Sequence, residues 1–373
     1  MANDNNTKPS VLVFEASDRW GGIESFIANE ICPLRQWFDV HVVTQQEDAD
    51  IRRRIPISDD RFIEMEGRYG SARYRRWLRE LMHRRFDIIH VNKNSLMKYL
   101  PITYARRYAD SKVIIHSHNT RPSVRSAVSA LHYMVRPWIE PLADARLACS
   151  RTAAAYMFGK DAHAAEIVNN GIDTERFVYR PQDRAEVRRE LGIAGTDTVL
   201  MNVGRFTEQK NQKFLLDVFA EYRARQPHST LLLVGEGELR EALERHAAEL
   251  RLQDHVIFTG RRNDVHRLFS AADLVLFPSL YEGLPTTLVE AQANGVPVLA
   301  SSAITAEADI TGTVRFEELD HGVEAWADAV ADIERHAPDM ERRGKAAAIV
   351  REHGYDRADG VLYLKAIYDS LLA

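Results

Sequence analysis

The chain has 373 residues, 45% of them hydrophobic and 28% charged, with a formal net charge of −5. That is room for two domains of ordinary size, each with its own core, and it carries no global basic bias towards nucleic acid. Two cysteines, Cys32 and Cys149, stand far apart without CxxC spacing, which argues against a disulfide framework or thiolate metal site and fits the cytoplasm.

The start, MANDNNTKPS, is polar and shows no apolar signal region, and no run of about 18 apolar residues occurs, so no membrane-spanning segment is expected. VLVFEAS at 11–17 reads as a buried parallel strand, followed by a Gly21-Gly22 turn and the helical pattern IESFIANEI. A strand, a glycine turn and a helix open a Rossmann-like unit, and the glycines let a ligand approach the helix N-terminus or merely shape a tight turn. FDVHVVT at 38–44 and FDIIHVN at 86–92 are further strands.

Between them, 68–85 is dense in arginine with Tyr69, Tyr74 and Trp77 interleaved. It reads either as a crossover helix with a solvated basic face or as a surface for anionic lipid or a phosphate-bearing acceptor. KVIIHSHN at 112–119 is a strand whose alternation puts His116 and His118 on one face at its C-terminal end, where ligands gather in open α/β sheets. Two histidines without a third ligand do not suggest zinc.

ARLACS at 145–150 is a short strand, and EIVNNGIDTERF at 166–177 carries an Asn-Asn-Gly turn. The charged stretch RPQDRAEVRRELGIAGTD lacks a strand, which places a domain boundary near residue 185. A second alternation follows: strands at 198–206, 272–279 and 296–302, a strand running into a glycine-rich turn over 229–239, and a strand, turn and helix start over 254–265, with helical patterns between them, the mark of a mostly parallel sheet covered on both faces. From Trp326 onward the chain reads as helical, with a last helix after Gly354.

Chemistry converges on FPSLYEGLPTTLVEAQANGVP at 277–297. Pro285 suits a first helical turn, Leu284 cannot cap, and the amides from Gly283 through Thr286 to Thr287 are left to an anion, a phosphate above all. Glu282 and Glu290 flank them and can accept hydrogen bonds from sugar hydroxyls. Arg205 and Lys210, on the loop after a strand of the second domain, can neutralise a diphosphate, or be ordinary surface charges. No Asp-x-Asp at a strand edge suggests a metal, so the cations and helix terminus would replace one. The VGEG turn at 234–237 is a weak glycine signal, read either as part of a site or as a turn alone.

The motifs GGIE (21–24), HSHN (116–119), NGID (170–173), GRFTEQKN (204–211), VGEGELR (234–240), FTGRRNDV (258–265) and EGLPTTLVE (282–290) occur in that order. With this set the chain resembles the family 4 retaining glycosyltransferases of the GT-B superfamily over nearly its whole length. It is most similar to bacterial enzymes of exopolysaccharide and capsule synthesis.

The resemblance implies an α/β GT-B fold, two Rossmann-like domains facing an interdomain cleft. These would be an acceptor-side domain at 1–185, with the helix 354–373 returning to pack on it, and a donor-binding domain at 186–353. It implies that Arg205 and Lys210 hold the donor's diphosphate with the amides of Gly283 and Leu284, next to Pro285 and Thr286. Glu290 would bind ribose, Glu282 the transferred sugar, and the loop at Arg261–Arg262 would border the base chiefly through backbone. Gly21 and Gly22 would let the first domain approach the donor, and His116 or His118 would contact the sugar near the reaction centre.

The expected activity is retaining, front-face transfer from a nucleotide sugar, most often a uridine diphosphate sugar. The acceptor would be a saccharide or lipid-linked saccharide, with neither an essential metal nor another cofactor. A cytoplasmic protein, peripheral at the inner membrane face, would fit. A sugar-nucleotide epimerase, a phosphorylase with a pyridoxal cofactor, and a non-catalytic sugar-nucleotide binder in an assembly complex are the competing readings.

Overall fold

The computed structural model describes residues 8–16, 21–45, 49–119, 127–282, 284–336 and 340–373. The chain divides into two compact units, Met1–Gly171 with Arg357–Ala373, and Ile172–Asp356.

In the first unit, β1 (Ser10–Phe14), β2 (Asp39–Thr44), β3 (Phe62–Glu64), β4 (Ile88–Lys93), β5 (Lys112–Ser117), β6 (Ala145–Ala148) and β7 (Glu166–Ile167) form one sheet. Its order is β3-β2-β1-β4-β5-β6-β7, and every pairing is parallel. The near-continuous apolar runs are explained by burial of both faces. Leu12, Phe14, Ile89, Val91 and Ile115 pack into one core, and their neighbours Val11, Val13, Ile88 and Ile114 into the other. The C-terminal helix Arg357–Leu372 covers the second face through Val361, Leu364, Ile367 and Tyr368, with the Tyr368 ring edge-on to Phe38 at 5.3 Å.

The second unit repeats the plan with β8 (Thr198–Val203), β9 (Ser229–Val234), β10 (Val256–Gly260), β11 (Leu274–Phe277), β12 (Val298–Ser301) and β13 (Val314–Glu317), ordered β10-β9-β8-β11-β12-β13 and all parallel. Strand alternation again divides the core, with Val199, Met201, Val275 and Phe277 on one side and Leu200, Leu231, Leu274 and Leu276 on the other.

Two readings change, and the choice left open over the arginine-rich stretch is decided for a crossover helix with a basic outer face. The division falls at 171/172 rather than near 185. The charged, strandless stretch on which the boundary was placed is the helix Pro181–Glu190, which belongs to the second unit. Arg184 and Arg188 fork onto the two oxygens of Asp273 at 2.7 and 2.6 Å, so the charges are partnered rather than solvated. The edge strands β3, β7 and β13 escape a pattern search because two to four residues give alternation no length to register. In the arginine-rich stretch, the helix Ala72–Met82 buries Tyr74 and Trp77 and leaves Arg73, Arg75, Arg76 and Arg79 outside. Its aromatics therefore serve the core, and the outer face is cationic without an apolar component. Among the described residues no helix is long and apolar enough to cross a membrane.

Candidate functional site

In the second unit the loop after β8 is built from below. Asn202 on the buried strand donates to the Leu276 carbonyl at 2.7 Å, and Gln212 donates to Asn202 Oδ1 at 3.3 Å and to the Arg205 carbonyl at 3.1 Å. From the side, the loop is zipped to the VGEG turn. Gly204 N–H donates to Val234 O at 3.0 Å, Phe206 N–H to Glu236 O at 2.9 Å, and Leu239 N–H to Phe206 O at 3.2 Å. Gly235 has φ +146°, and a Cβ there would lie 2.0 Å from the Gly204 carbonyl oxygen, so only glycine fits. The glycines of VGEG thus clamp the loop that carries Arg205.

That loop continues through a short turn, Glu208–Lys210, to Asn211 in the left-handed region (φ 55°), which donates its amide to Pro278 O at 3.1 Å and opens the helix Gln212–Arg225. The turn is stitched to the segment after β11. Leu280 N–H donates to Gln209 O at 2.8 Å, and Gln209 Nε2 donates to Tyr281 O at 2.9 Å and Glu282 Oε2 at 3.3 Å. Lys210 Nζ closes the join on Glu282 Oε1 at 2.5 Å. Two residues assigned separately from sequence are therefore an ion pair, and Gln209, unremarked in the sequence, braces it. Arg205 is exposed on the same loop.

Gly283 lies outside the described residues. Beyond it, Leu284 and Pro285 are buried and the helix runs Thr286–Asn294. Pro285 occupies the N-cap position, with φ −72° and ψ 120°, one residue before the place expected from its fixed φ. The helix start has no side-chain cap, leaving its positive dipole end for a ligand. Thr286 is half-buried at the first helical position.

One helical turn on, Glu290 is half-buried, and among the described residues its carboxylate has no hydrogen-bonding partner. Burial pushes its carboxyl up from 4.5 to about 7, with Arg176 only partly offsetting the effect. Arg176, which also donates to Asn263 O at 2.8 Å, was not among the sequence candidates. After β10, Arg261 is exposed, whereas the Arg262 guanidinium forks onto Asp264 at 2.8 Å and reaches Glu190 at 2.9 Å. The Arg262 side chain is thus held by two carboxylates.

In the first unit, Gly21 is the N-cap of the short helix Gly22–Phe26, with an extended backbone. Neither glycine has a positive φ, and a Cβ on Gly22 would meet nothing within 4 Å. The turn itself does not demand glycine at Gly22.

The histidines of HSHN lie in a buried stack. His90 on β4, one strand over, bonds His116 Nδ1 through Nε2 at 3.2 Å and Tyr368 Oη through Nδ1 at 2.7 Å. With the tyrosine hydroxyl donating, His90 donates to His116, whose Nε2 then carries the outward N–H. The reverse chain would strand the hydroxyl proton as well. The His116 and His118 ring centres are 4.1 Å apart, and Phe26 packs edge-on against His116 at 4.6 Å.

His118 Nε2 donates to Asn92 Oδ1 at 2.8 Å. The Asn92 amide is itself oriented by donation to Phe14 O at 3.2 Å, which leaves His118 Nδ1 a buried acceptor without a partner among the described residues. Desolvation holds all three imidazoles neutral, His90 and His118 down to about 3 and His116 well below the ordinary range. His116 is completely buried and His118 half-buried, so His118 is the more accessible of the two.

Beside them Lys93, 1% exposed, donates to Glu15 at 2.5 Å and to Lys98 O at 2.6 Å, and Glu15 has a φ of 79°. A non-glycine residue at positive φ at a strand's C-terminal end is stored strain of a kind found near functional sites. Its only signal in the sequence is a lysine ending an apolar strand. Among the described residues, no group of three or more His, Cys, Asp or Glu side chains is arranged to hold a metal.

Comparisons with known proteins agree with one another. Residues 183–349 match the family described as "Glycosyl transferases group 1", and residues 20–176 match "Glycosyltransferase Family 4". The chain is 32% identical over 293 residues to the putative glycosyltransferase EpsF of Bacillus subtilis, covering 76% of this chain and 75% of that one. It is 26% identical over 238 residues, 60% of this chain and 59% of the other, to an Escherichia coli UDP-Gal:alpha-D-GlcNAc-diphosphoundecaprenol alpha-1,3-galactosyltransferase. Among solved structures, Anabaena HepE in complex with UDP and glucose superposes with a TM-score of 0.76 at 20% identity, over 97% of this chain and 100% of that one. At that identity the likeness establishes the fold.

Proposed function

Since the chain belongs to the group 1 and family 4 glycosyltransferases and has their GT-B pairing of two Rossmann-like domains, we propose the following reaction. It transfers a sugar, with retention of configuration, from a uridine diphosphate sugar to a saccharide or lipid-linked saccharide in cell-surface polysaccharide synthesis. The observation that carries this reading is the Lys210–Glu282 pair beside the uncapped start of the Thr286–Asn294 helix, with Glu290 one turn further on. A cation, a positive helix end and two carboxylates supply in order what a nucleotide sugar presents: diphosphate, transferred sugar and ribose. The undecaprenol-linked acceptor named for the Escherichia coli relative and the UDP held by Anabaena HepE support the choice of acceptor and donor.

In this mechanism Arg205 and Lys210 take the charge that grows on the departing nucleoside diphosphate, and the helix dipole adds to them. Glu282, already fixed by Lys210 and Gln209, accepts hydroxyls of the sugar being moved. Glu290, ionised, accepts ribose hydroxyls. His118, the more accessible of the two rings, faces a sugar hydroxyl; being neutral, it positions rather than protonates. The acceptor hydroxyl attacks from the side of the leaving group and passes its proton to the departing phosphate oxygen, so no protein nucleophile and no metal are required.

The test is a panel of nucleotide sugars scored by thermal stabilisation, followed by nucleoside-diphosphate release with the best donor and a lipid-linked acceptor. Lys210→Ala should lower turnover on the order of a hundredfold to a thousandfold. If no nucleotide sugar raises the melting temperature, or Lys210→Ala turns over like the parent, the assignment fails.

A further inference from the structure

Four of the nine exposed large hydrophobic side chains among the described residues lie on one helix, Ala127–Ile139, which none of the chemistry above uses. Leu131 is 39%, Met134 70% and Trp138 79% exposed. At positions i, i+3 and i+7 they fall within an arc of about 60° on the helix surface. The fourth, Tyr133, points elsewhere and is covered by Arg136, whose guanidinium lies 5.4 Å from the ring centre.

The opposite side of the helix is seated firmly. His132 is buried, stacks on Tyr156 at 4.4 Å and accepts from Leu96 N–H at 3.1 Å, and Ile139 is 5% exposed. The apolar stripe is thus the outer face of an anchored helix, not the loose side of a frayed one. A tryptophan four-fifths in water and a methionine two-thirds in water cost solvation that a monomer has no reason to keep.

We propose that this stripe is the surface by which the protein seats itself on an anionic lipid bilayer. Charge picks the occupant. From Lys112 to Ile139 the described residues include two basic side chains, Lys112 and Arg136, and no carboxylate. The first acid after it, Glu140, is buried against Arg146. Lys98 is exposed on the turn Leu96–Lys98 that carries the bond to His132.

An apolar stripe with tryptophan, on a stretch of chain whose described residues carry cations and no exposed acid, has the composition of an element lying in the headgroup region of anionic lipid. A second copy of this chain is a poorer fit. Three side chains offer on the order of a few hundred Å², against about 800 Å² per partner in a stable interface. The arginine face of the helix Ala72–Met82 is a poorer seat as well, because its aromatics are buried. The proposal does not depend on the identity of donor or acceptor.

The experiment is co-flotation of the full chain with vesicles of phosphatidylglycerol and phosphatidylethanolamine, or of phosphatidylcholine alone, at low and high salt. The protein should float with the anionic vesicles and not with phosphatidylcholine. The double variant Met134→Ser/Trp138→Ser should lose at least about tenfold in partitioning at an unchanged melting temperature. An Arg75→Ser/Arg79→Ser control should lose less. Parental flotation of the double variant overturns the proposal, as does failure of the parent to float. A concentration-dependent dimer in sedimentation velocity that the double variant abolishes would assign the stripe to a second copy instead.

Discussion

Glu290→Gln isolates the least comfortable group in the second unit. Its carboxyl, lifted from 4.5 to about 7 by burial, holds its proton more tightly in the folded protein than in the unfolded chain. The stabilisation this brings is complete below about pH 4.5 and is lost as pH rises through about 7. At about 1.4 kcal/mol per pH unit, that interval is worth about 3 kcal/mol, a ceiling because the side chain is half-buried and water screens part of it. Glutamine has the same shape and no charge to desolvate.

The variant should therefore melt with the parent near pH 5 and several degrees above it at pH 8, at about 2–4 °C per kcal/mol for a unit of this size. Ligand binding should run the other way. Ribose hydroxyls donate to the ionised form, so parental affinity for a nucleoside diphosphate should climb as pH rises towards 7 and then level. Glu290→Gln should bind more weakly with a flat profile. Scanning melts from pH 5 to 8.5, with and without nucleoside diphosphate, together with calorimetric titrations, measure both. A variant that melts below the parent at pH 8, or a parental affinity flat between pH 6 and 8, would refute the argument.

Gly235→Ala should lower the melting temperature by several degrees and abolish donor binding, because its Cβ would meet the Gly204 carbonyl at 2.0 Å and prise apart the clamp behind Arg205. Gly22→Ala, with open space at its Cβ, should leave the melting temperature unchanged while lowering turnover; equal activity would mean that no ligand approaches there. Tyr368→Phe should cost about 1–3 kcal/mol, read as a lower melting temperature, since it leaves His90 Nδ1 buried without its partner; an unchanged melt would show that the bond contributes nothing.

The amino-acid sequence by itself determined the two α/β units, most of the strands, the loops that carry the motifs and the uncapped helix after Leu284. Those features are written in runs of neighbouring residues: apolar strands, glycine turns, a proline where a cap would be. The sequence misplaced the division near 185, because a helix whose arginines are paired with Asp273 looks, read alone, like a charged stretch between two alternations of strand and helix. It could not distinguish His116 from His118 either. That difference depends on which ring the neighbouring strand and the C-terminal helix cover, and Tyr368 is 278 residues from His90.

The pairing of Lys210 with Glu282, across 72 residues, is likewise a product of β8 lying beside β11 in the sheet. Local propensity fixes elements, but the order of strands in a sheet is settled only when both faces are buried. The FPSLYEGLPTTLVE stretch was legible as an uncapped helix start from its own residues. That its first glutamate is held by a lysine, while its second, in a desolvated seat, has no hydrogen-bonding partner among the described residues, was decided by the tertiary structure.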